Sequence, residues 1–511
     1  MDILFIGIPD YEDAFEEEWN SNFRYAISFL RKNSINAGLF CPSVPVDFKK
    51  RLSKISGMRP SILFFNLNEE NFKAGIRYIQ RIRRASKRSK IVLGGLRATL
   101  LANEIMAEHS EVDYVVKGES EITLLELARK IKTGGRIDNV AGLSGRDFDN
   151  SPRPLIEDLD VLENMALDGL DEMLFGKKGG ERAAHIVTSR GCYGQCSFCQ
   201  VPPLYKASPG RIWRGRSPKN VVDEIEDLAK RLKISYFVFA DDNYMGPGRA
   251  GRNRARRIAE EILRRKLNIR YAVSSRINDI NAETLRIMKR SGLDRLGVSV
   301  ESANQRALDL FNKQIRVKGI FDALNLLEKM RIKTQVNMIF FDPYTAINEI
   351  RKNLAFLKYI KGSKYLTYAR SFPFNELIPF PGAPITEVLK KDDLLKKENY
   401  SCKYRDPKVG QVVKLIDYFR RHPALNFKSR LLFNRLNARS ALNQNPKAFQ
   451  SILAFSLGVR RWLGLELLPE LIAEACDILQ RPAAAHRKGL EKLEKRFENE
   501  ADKISRIAKE I

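Results

Sequence analysis

The chain predicts an α/β protein in three parts. They are an N-terminal doubly wound, five-stranded parallel sheet, a central partial (β/α)6 barrel and a C-terminal all-helical segment. Three observations predict this. Strand and helix signals alternate strictly over residues 1–135. The alternation resumes at Ala184 with six further strands, whose carboxyl ends collect polar residues. After about residue 395 strand signals vanish and amphipathic stretches replace them. A chain of 511 residues needs more than one domain. The boundaries fall at 1–140, 141–182 (a linker), 183–394 and 395–511.

In order, Ile3 to Ile8 is an apolar run of buried-strand type. Residues 19–33 form a helix with Phe23, Ile27 and Leu30 on one face. Ala37 to Phe40, Ser61 to Leu67, Lys90 to Leu93 and Asp113 to Val116 complete a Rossmann-like set of strands. A last helix carries Ile122, Leu125, Ala128 and Ile131 at three-residue spacing. Such sheets bind ligands at the carboxyl ends of their strands. Those ends hold Ile8-Pro9, Asn66-Leu67-Asn68, Gly94-Gly95 and Gly118-Glu119. The helix after Gly95 is expected to start near Ala98-Thr99, with free amides for a phosphate or an amide oxygen. Gly142, Gly145, Pro152, Pro154 and a Gly/Lys stretch at 176–180 mark the linker.

The most informative stretch follows the first strand of the central part. Cys192, Cys196 and Cys199 put half of the six cysteines inside eight residues, on a turn opened by Ser189-Arg190-Gly191. Ser217-Pro218 then begins a helix with Val221, Ile225, Leu228 and Leu232 on one face. Soft thiolates at this density favour iron or zinc. Structural zinc wants four ligands, and neither a second Cys pair nor a His pair follows. Three thiolates point instead to a four-iron, four-sulfur cluster with one iron left open for chemistry. The later strands end in Asp241-Asp242-Asn243, Ser275-Arg276, Glu301-Ser302, Asp342-Pro343 and, after Leu366 to Phe374, Pro379 to Gly382.

Cys192-x3-Cys196-Ser197-Phe198-Cys199 resembles the signature of the radical S-adenosylmethionine superfamily. The resemblance implies a 4Fe-4S cluster on Cys192, Cys196 and Cys199, with S-adenosylmethionine on the open iron. It also implies an external electron donor of flavodoxin or ferredoxin type. By position, Phe198, Asp241, Asp242, Asn243, Ser275, Arg276 and Glu301 would contact S-adenosylmethionine. Asp241 to Asn243 stand where the family usually has Gly-Gly-Glu, near the methionine amine. Ser275, Arg276 and Glu301 would lie near the carboxylate or ribose, and a guanidinium can pair bidentately with a carboxylate. As alternatives, Asp242 could cap the helix after Gly248, and Glu301 the helix from Asn304. No catalytic residue is assigned beyond the cluster ligands.

Ile91 to Thr99 and Val112 to Ser120 resemble the cobalamin-binding domain fused ahead of many such enzymes. The resemblance assigns corrin contacts to Pro9, Asn66, Gly94, Gly95, Thr99, Gly118 and Glu119. None of the four histidines sits in a D-x-H-x-x-G context, so the lower cobalt face would lack a His ligand. The implied activity is methylation of an unreactive atom of a small-molecule substrate. Radical rearrangement or cyclisation, transfer of another fragment of S-adenosylmethionine, and a non-enzymatic cluster protein are the rivals. RNA- or ribosome-directed methylthiotransferases bring three further N-terminal cysteines, whereas only Cys41 precedes Cys192 here.

Composition bounds the rest. The formal charge is +27, yet the basic residues are spread over helices such as Arg77–Lys90 and Arg252–Lys266. With no interleaved aromatic signature, these read as solvated faces rather than a nucleic-acid site. The N-terminus turns acidic after eight residues, and no apolar run approaches a membrane span. The expected location is therefore cytoplasmic, with Cys41, Cys402 and Cys476 as free thiols. The C-terminal segment, with Trp462 in its packing, reads as a cap over the barrel mouth or as a structural bundle.

Overall fold

The computed structural model describes residues 1–7, 16–40, 48–69, 71–168, 183–368, 374–396, 400–421, 467–481 and 486–510. Pro9, Cys41, the Gly/Lys stretch at 176–180 and Trp462 lie outside the described residues. Internal contacts divide the chain into unit 1 (residues 1–296 and 380–384) and unit 2 (297–379 and 385–511).

Unit 1 begins with β1 (Ile3–Ile6), β2 (Ala37–Phe40), β3 (Ile62–Asn66), β4 (Lys90–Gly94), β5 (Tyr114–Val116) and β6 (Leu143–Ser144). Their order is β2-β1-β3-β4-β5-β6. Side chains alternate between the two faces, as a sheet covered on both sides requires. Ile3 and Phe5 join a core with Phe23, Ile27 and Leu30 of helix Glu16–Lys32 and Leu124 and Leu127 of helix Ser120–Thr133. Leu4 and Ile6 join the opposite core, with Ile76, Ile79 and Ile82 of helix Phe72–Ala85.

The five expected strands are parallel. The sixth, β6, pairs antiparallel with β5 and comes from the stretch expected to be linker. Two residues carry no alternation signal, so this strand was not readable. Its geometry comes from Gly142, whose φ is +76° and whose carbonyl accepts from Lys117 N at 2.8 Å. A second difference is at Gly95. The following helix starts at Leu96, not near Ala98, and the amide of Thr99 bonds Gly95 O at 2.9 Å. That amide is not free for a ligand.

The central part contributes β7 (Ala183–Ile186), β8 (Ser189–Arg190), β9 (Arg214–Gly215), β10 (Tyr236–Phe239), β11 (Arg270–Arg276), β12 (Leu293–Glu301), β13 (Lys333–Met338) and β14 (Leu366–Tyr368). Within unit 1, β10 pairs in parallel with both β7 and β11. The ribbon β8–β9 is antiparallel and stands apart from the sheet. The boundary between units falls inside β12. In unit 2, β13 and β14 pair in parallel, each after a helix, Val317–Lys329 and Ile347–Gly362. The described C-terminal elements of unit 2 are helical: Pro407–Arg421, Leu468–Gln480 and His486–Glu510. Leu468, Leu471, Ile472 and Cys476 of the second are fully buried, as are Leu493 and Phe497 of the third. That is the amphipathic packing expected of a helical tail.

Candidate metal centre

The Cys loop hangs between β8 and helix Val201–Lys206, at the carboxyl end of β7. Gly191 turns the chain with φ +82°, and a Cβ there would lie 1.9 Å from Ile212 O. No other residue fits that backbone approach. Cys192, Cys196 and Cys199 are free thiols, Cys196 buried and the other two half-buried. Backbone amides of Gly194 and Val201 donate to the sulfurs of Cys192 and Cys199, both at 3.4 Å. Burial pushes the Cys199 thiol up to about 12 and raises that of Cys192. Thiolates in such a place need a cationic group to neutralise them. Among the described residues, no three His, Cys, Asp or Glu side chains converge on one metal ion. A single zinc would need sulfurs about 2.3 Å from one point. Three thiols on one loop, two of them with backbone amide donors, are the donor set that an iron–sulfur cluster takes.

The residues after β10 and at the end of β11 frame this loop. Asp241 accepts from the amides of Thr188 (2.7 Å) and Ser189 (2.9 Å), and also from the Thr188 hydroxyl. Burial pushes its carboxyl up, against the pull of Arg254 and these donors. Asp242 accepts from Gly191 N at 3.0 Å and stays exposed. Asn243, with no exposed surface, accepts from Arg276 N at 3.1 Å and donates to Asp279 at 3.3 Å. Ser275 accepts from Met245 N at 3.2 Å. All four thus bind the protein's own backbone or side chains, and Asp242 is the one with an exposed carboxylate. Asp242 does not cap the helix Gly248–Arg264, whose N-cap is Pro247 with no side-chain bond. Arg276 is buried, and its Nη1 lies 3.0 Å from Cys196 Sγ rather than waiting in an open pocket. Phe198 is half-buried beside Cys199.

At the first sheet, three of the expected ligand positions, Gly95, Thr99 and Gly118, are hydrogen-bonded together. The Thr99 hydroxyl donates to Gly95 O (2.8 Å) and accepts from Gly118 N (2.9 Å). Gly95 has φ +99°, and a Cβ there would lie 1.8 Å from the side-chain oxygen of Asn66. A Cβ on Gly94 would meet the Phe64 ring at 2.4 Å. Glu119 is different. It accepts from Arg190 Nη1 and Arg214 Nη1 at 3.0 Å each and from Ile156 N at 2.7 Å. Both its oxygens are engaged, so it ties the end of β5 to the Cys ribbon. Burial alone would raise its carboxyl, but Arg190 and Arg214 outweigh burial and hold it below the usual range.

The residues missed at the sequence level are the buried arginines. Arg190 also pairs with Glu121. Arg216 pairs with Glu224, donates to Val187 O at 3.0 Å and stands over the Tyr25 ring. The Tyr25 hydroxyl donates to Glu224 at 2.9 Å and accepts from Val187 N at 3.2 Å. Arg254, in a helix expected to be solvated, turns inward to donate to Arg216 O at 2.7 Å. The one available signal was Arg214-Gly215-Arg216, two arginines spaced to one side of a strand. In unit 2, Glu301 has φ +65° and pairs with buried Lys313 at 2.7 Å. It does not cap the helix Gln305–Leu310, whose N-cap is Asn304, with no side-chain capping bond.

The Radical SAM superfamily model matches residues 186–357. An uncharacterised methyltransferase of Pyrococcus horikoshii is 28% identical over 314 residues, 61% of this chain and 65% of that protein. The anaerobic magnesium-protoporphyrin IX monomethyl ester cyclase of Cereibacter sphaeroides is 28% identical over 260 residues, 48% of this chain and 41% of that protein. The chain thus spans less than two thirds of the length of either relative. The structure of the cobalamin-dependent S-adenosylmethionine radical enzyme OxsB with aqua-cobalamin bound matches with a TM-score of 0.77. That match covers 99% of this chain and 80% of OxsB at 16% identity, a likeness of fold.

Proposed function

We propose that this chain, an enzyme with a radical SAM domain over residues 186–357, methylates an unreactive atom of a small-molecule substrate with the help of cobalamin. Radical SAM enzymes use a 4Fe-4S cluster and S-adenosylmethionine. In this reading Cys192, Cys196 and Cys199 hold the cluster, and residues 1–140 hold the corrin through Asn66, Gly94, Gly95, Thr99 and Gly118. When bound, the cluster supplies the electron that cleaves S-adenosylmethionine, and the corrin carries the methyl group. Pro9 belongs to the same proposal.

The chain's own residues then have separable tasks. Asp242 offers an exposed carboxylate for the ammonium of S-adenosylmethionine. Asp241, Asn243 and Ser275 act one step back, fixing the backbone that presents that carboxylate. Phe198 completes the proposed contacts within unit 1, while Glu301 of unit 2 is held by its pair with Lys313. Glu119 keeps the first sheet's ligand edge in register with the Cys ribbon instead of touching the corrin. An external one-electron donor of flavodoxin or ferredoxin type supplies the reducing equivalents.

The observation that carries this reading is the tie between two ligand edges. Three free cysteines on one loop are joined through Arg190 and Arg214 to the end of β5. A second reading, cyclisation with cobalamin as electron partner, draws on the cyclase named among the relatives. Product analysis separates them. Anaerobically reconstituted protein with reductant, S-adenosylmethionine and hydroxocobalamin should give S-adenosylhomocysteine together with 5′-deoxyadenosine. 5′-Deoxyadenosine alone supports rearrangement, and methylthioadenosine supports transfer of the aminocarboxypropyl group.

A further inference from the structure

We infer that Arg276 serves as the tuning residue of the cluster, holding a permanent positive charge and a hydrogen bond on one ligand sulfur. The inference rests on the reading of Cys192, Cys196 and Cys199 as cluster ligands. Of the three sulfurs, the amides of Gly194 and Val201 serve those of Cys192 and Cys199. The donor to Cys196 is a charged side chain, Arg276 Nη1, at 3.0 Å. Both partners are buried, Cys196 at 7% and Arg276 at 6% exposure, where solvent screens little.

The guanidinium is held there by a frame. Its own backbone amide donates to the side-chain oxygen of Asn243, and the Asn243 amide donates to Asp279. Asp279 in turn accepts from the Tyr193 hydroxyl, and the Tyr193 ring lies 5.5 Å from the guanidinium carbon. Tyr193 follows Cys192 directly, so the frame closes on the Cys loop itself. Gly194 leaves the last space. A Cβ at that position would sit 2.0 Å from Arg276 Nη1. Asn243 and Gly194 are thus both shaped around where Arg276 must lie.

A reduced cluster carries one more negative charge than the oxidised one. A cation and a donor at a ligand sulfur stabilise the reduced form more, which raises the potential. Arginine suits the task because it stays charged when buried. The effect belongs to the cluster alone and exists before S-adenosylmethionine arrives. A guanidinium recruited only for the methionine carboxylate would leave the potential of the cosubstrate-free protein unmoved.

The test is an EPR-monitored redox titration of the anaerobically reconstituted full chain without S-adenosylmethionine, comparing wild type with Arg276→Lys, Arg276→Gln and Gly194→Ala. Arg276→Gln should lower the reduced-to-oxidised ratio at a fixed potential by about tenfold, or 59 mV for one electron. Gly194→Ala, which displaces the guanidinium without changing its charge, should shift in the same direction. Arg276→Lys should fall between Arg276→Gln and wild type. Equal midpoints in all four proteins would overturn the inference while leaving the cluster assignment intact. A wild-type protein with no reduced-cluster signal would overturn the assignment and this inference together.

Discussion

Cys196 is the residue on which most of the site depends. It is the buried member of the triad and the one that receives a charge. Cys196→Ala should remove the brown iron–sulfur absorbance and the bound iron; retention of both would refute the site. Glu224 makes a contrasting residue-scale case. It has no exposed surface and satisfies Arg216, Tyr25 and the Met165 amide. Glu224→Ala would leave a buried guanidinium unpaired and should cost roughly 3–5 kcal/mol in denaturant unfolding. Glu119 gives a pH dependence. Its folded carboxyl lies below the usual value, so its stabilisation is complete above the unfolded range of about 4.3 and is lost as pH falls through the lower folded value. Melting temperature should therefore drop through that acid window, and Glu119→Gln should be less stable at neutral pH with a flatter acid limb.

At the scale of elements, the strand–loop–helix around the cysteines was readable because each signal is local. Ile186 and Val187, then Gly191, then Ser217-Pro218 mark strand, turn and helix start in order. Ser217 does cap its helix, accepting from Asn220 N at 3.2 Å. The ribbon β8–β9 and the strand β6 were not readable, since each has two residues and no period. The role of Asp241 to Asn243 was half legible. Their place after a strand was plain, but Thr188, Ser189 and Gly191, the partners of Asp241 and Asp242, lie about fifty residues upstream. Arg276 and Asp279, the partners of Asn243, lie downstream. Gly191→Ala should break this element. Its left-handed φ and the 1.9 Å approach to Ile212 O leave no room for a methyl group. Cluster content after reconstitution should fall sharply, with far-ultraviolet circular dichroism little changed.

At the scale of the whole molecule, charge hid the most useful feature. In a chain of formal charge +27, Arg190, Arg214, Arg216 and Arg254 look like any other basic residues. The structure turns them inward, and three of them pair with half-buried Glu119 and with buried Glu121 and Glu224. Parallel alternation announced both sheets, while the network that joins the first sheet to the Cys loop left no periodic trace. Among the described residues, no helix is long and apolar enough to cross a membrane. The central claim is that this chain cleaves S-adenosylmethionine at a three-thiolate cluster and passes a methyl group through cobalamin. Its most direct test is mass spectrometry of the anaerobic reaction with S-adenosylmethionine labelled at the methyl group, reductant and hydroxocobalamin. The account predicts 5′-deoxyadenosine and S-adenosylhomocysteine together, with the label recovered on the corrin. Formation of neither nucleoside by protein that holds its full complement of iron would contradict it.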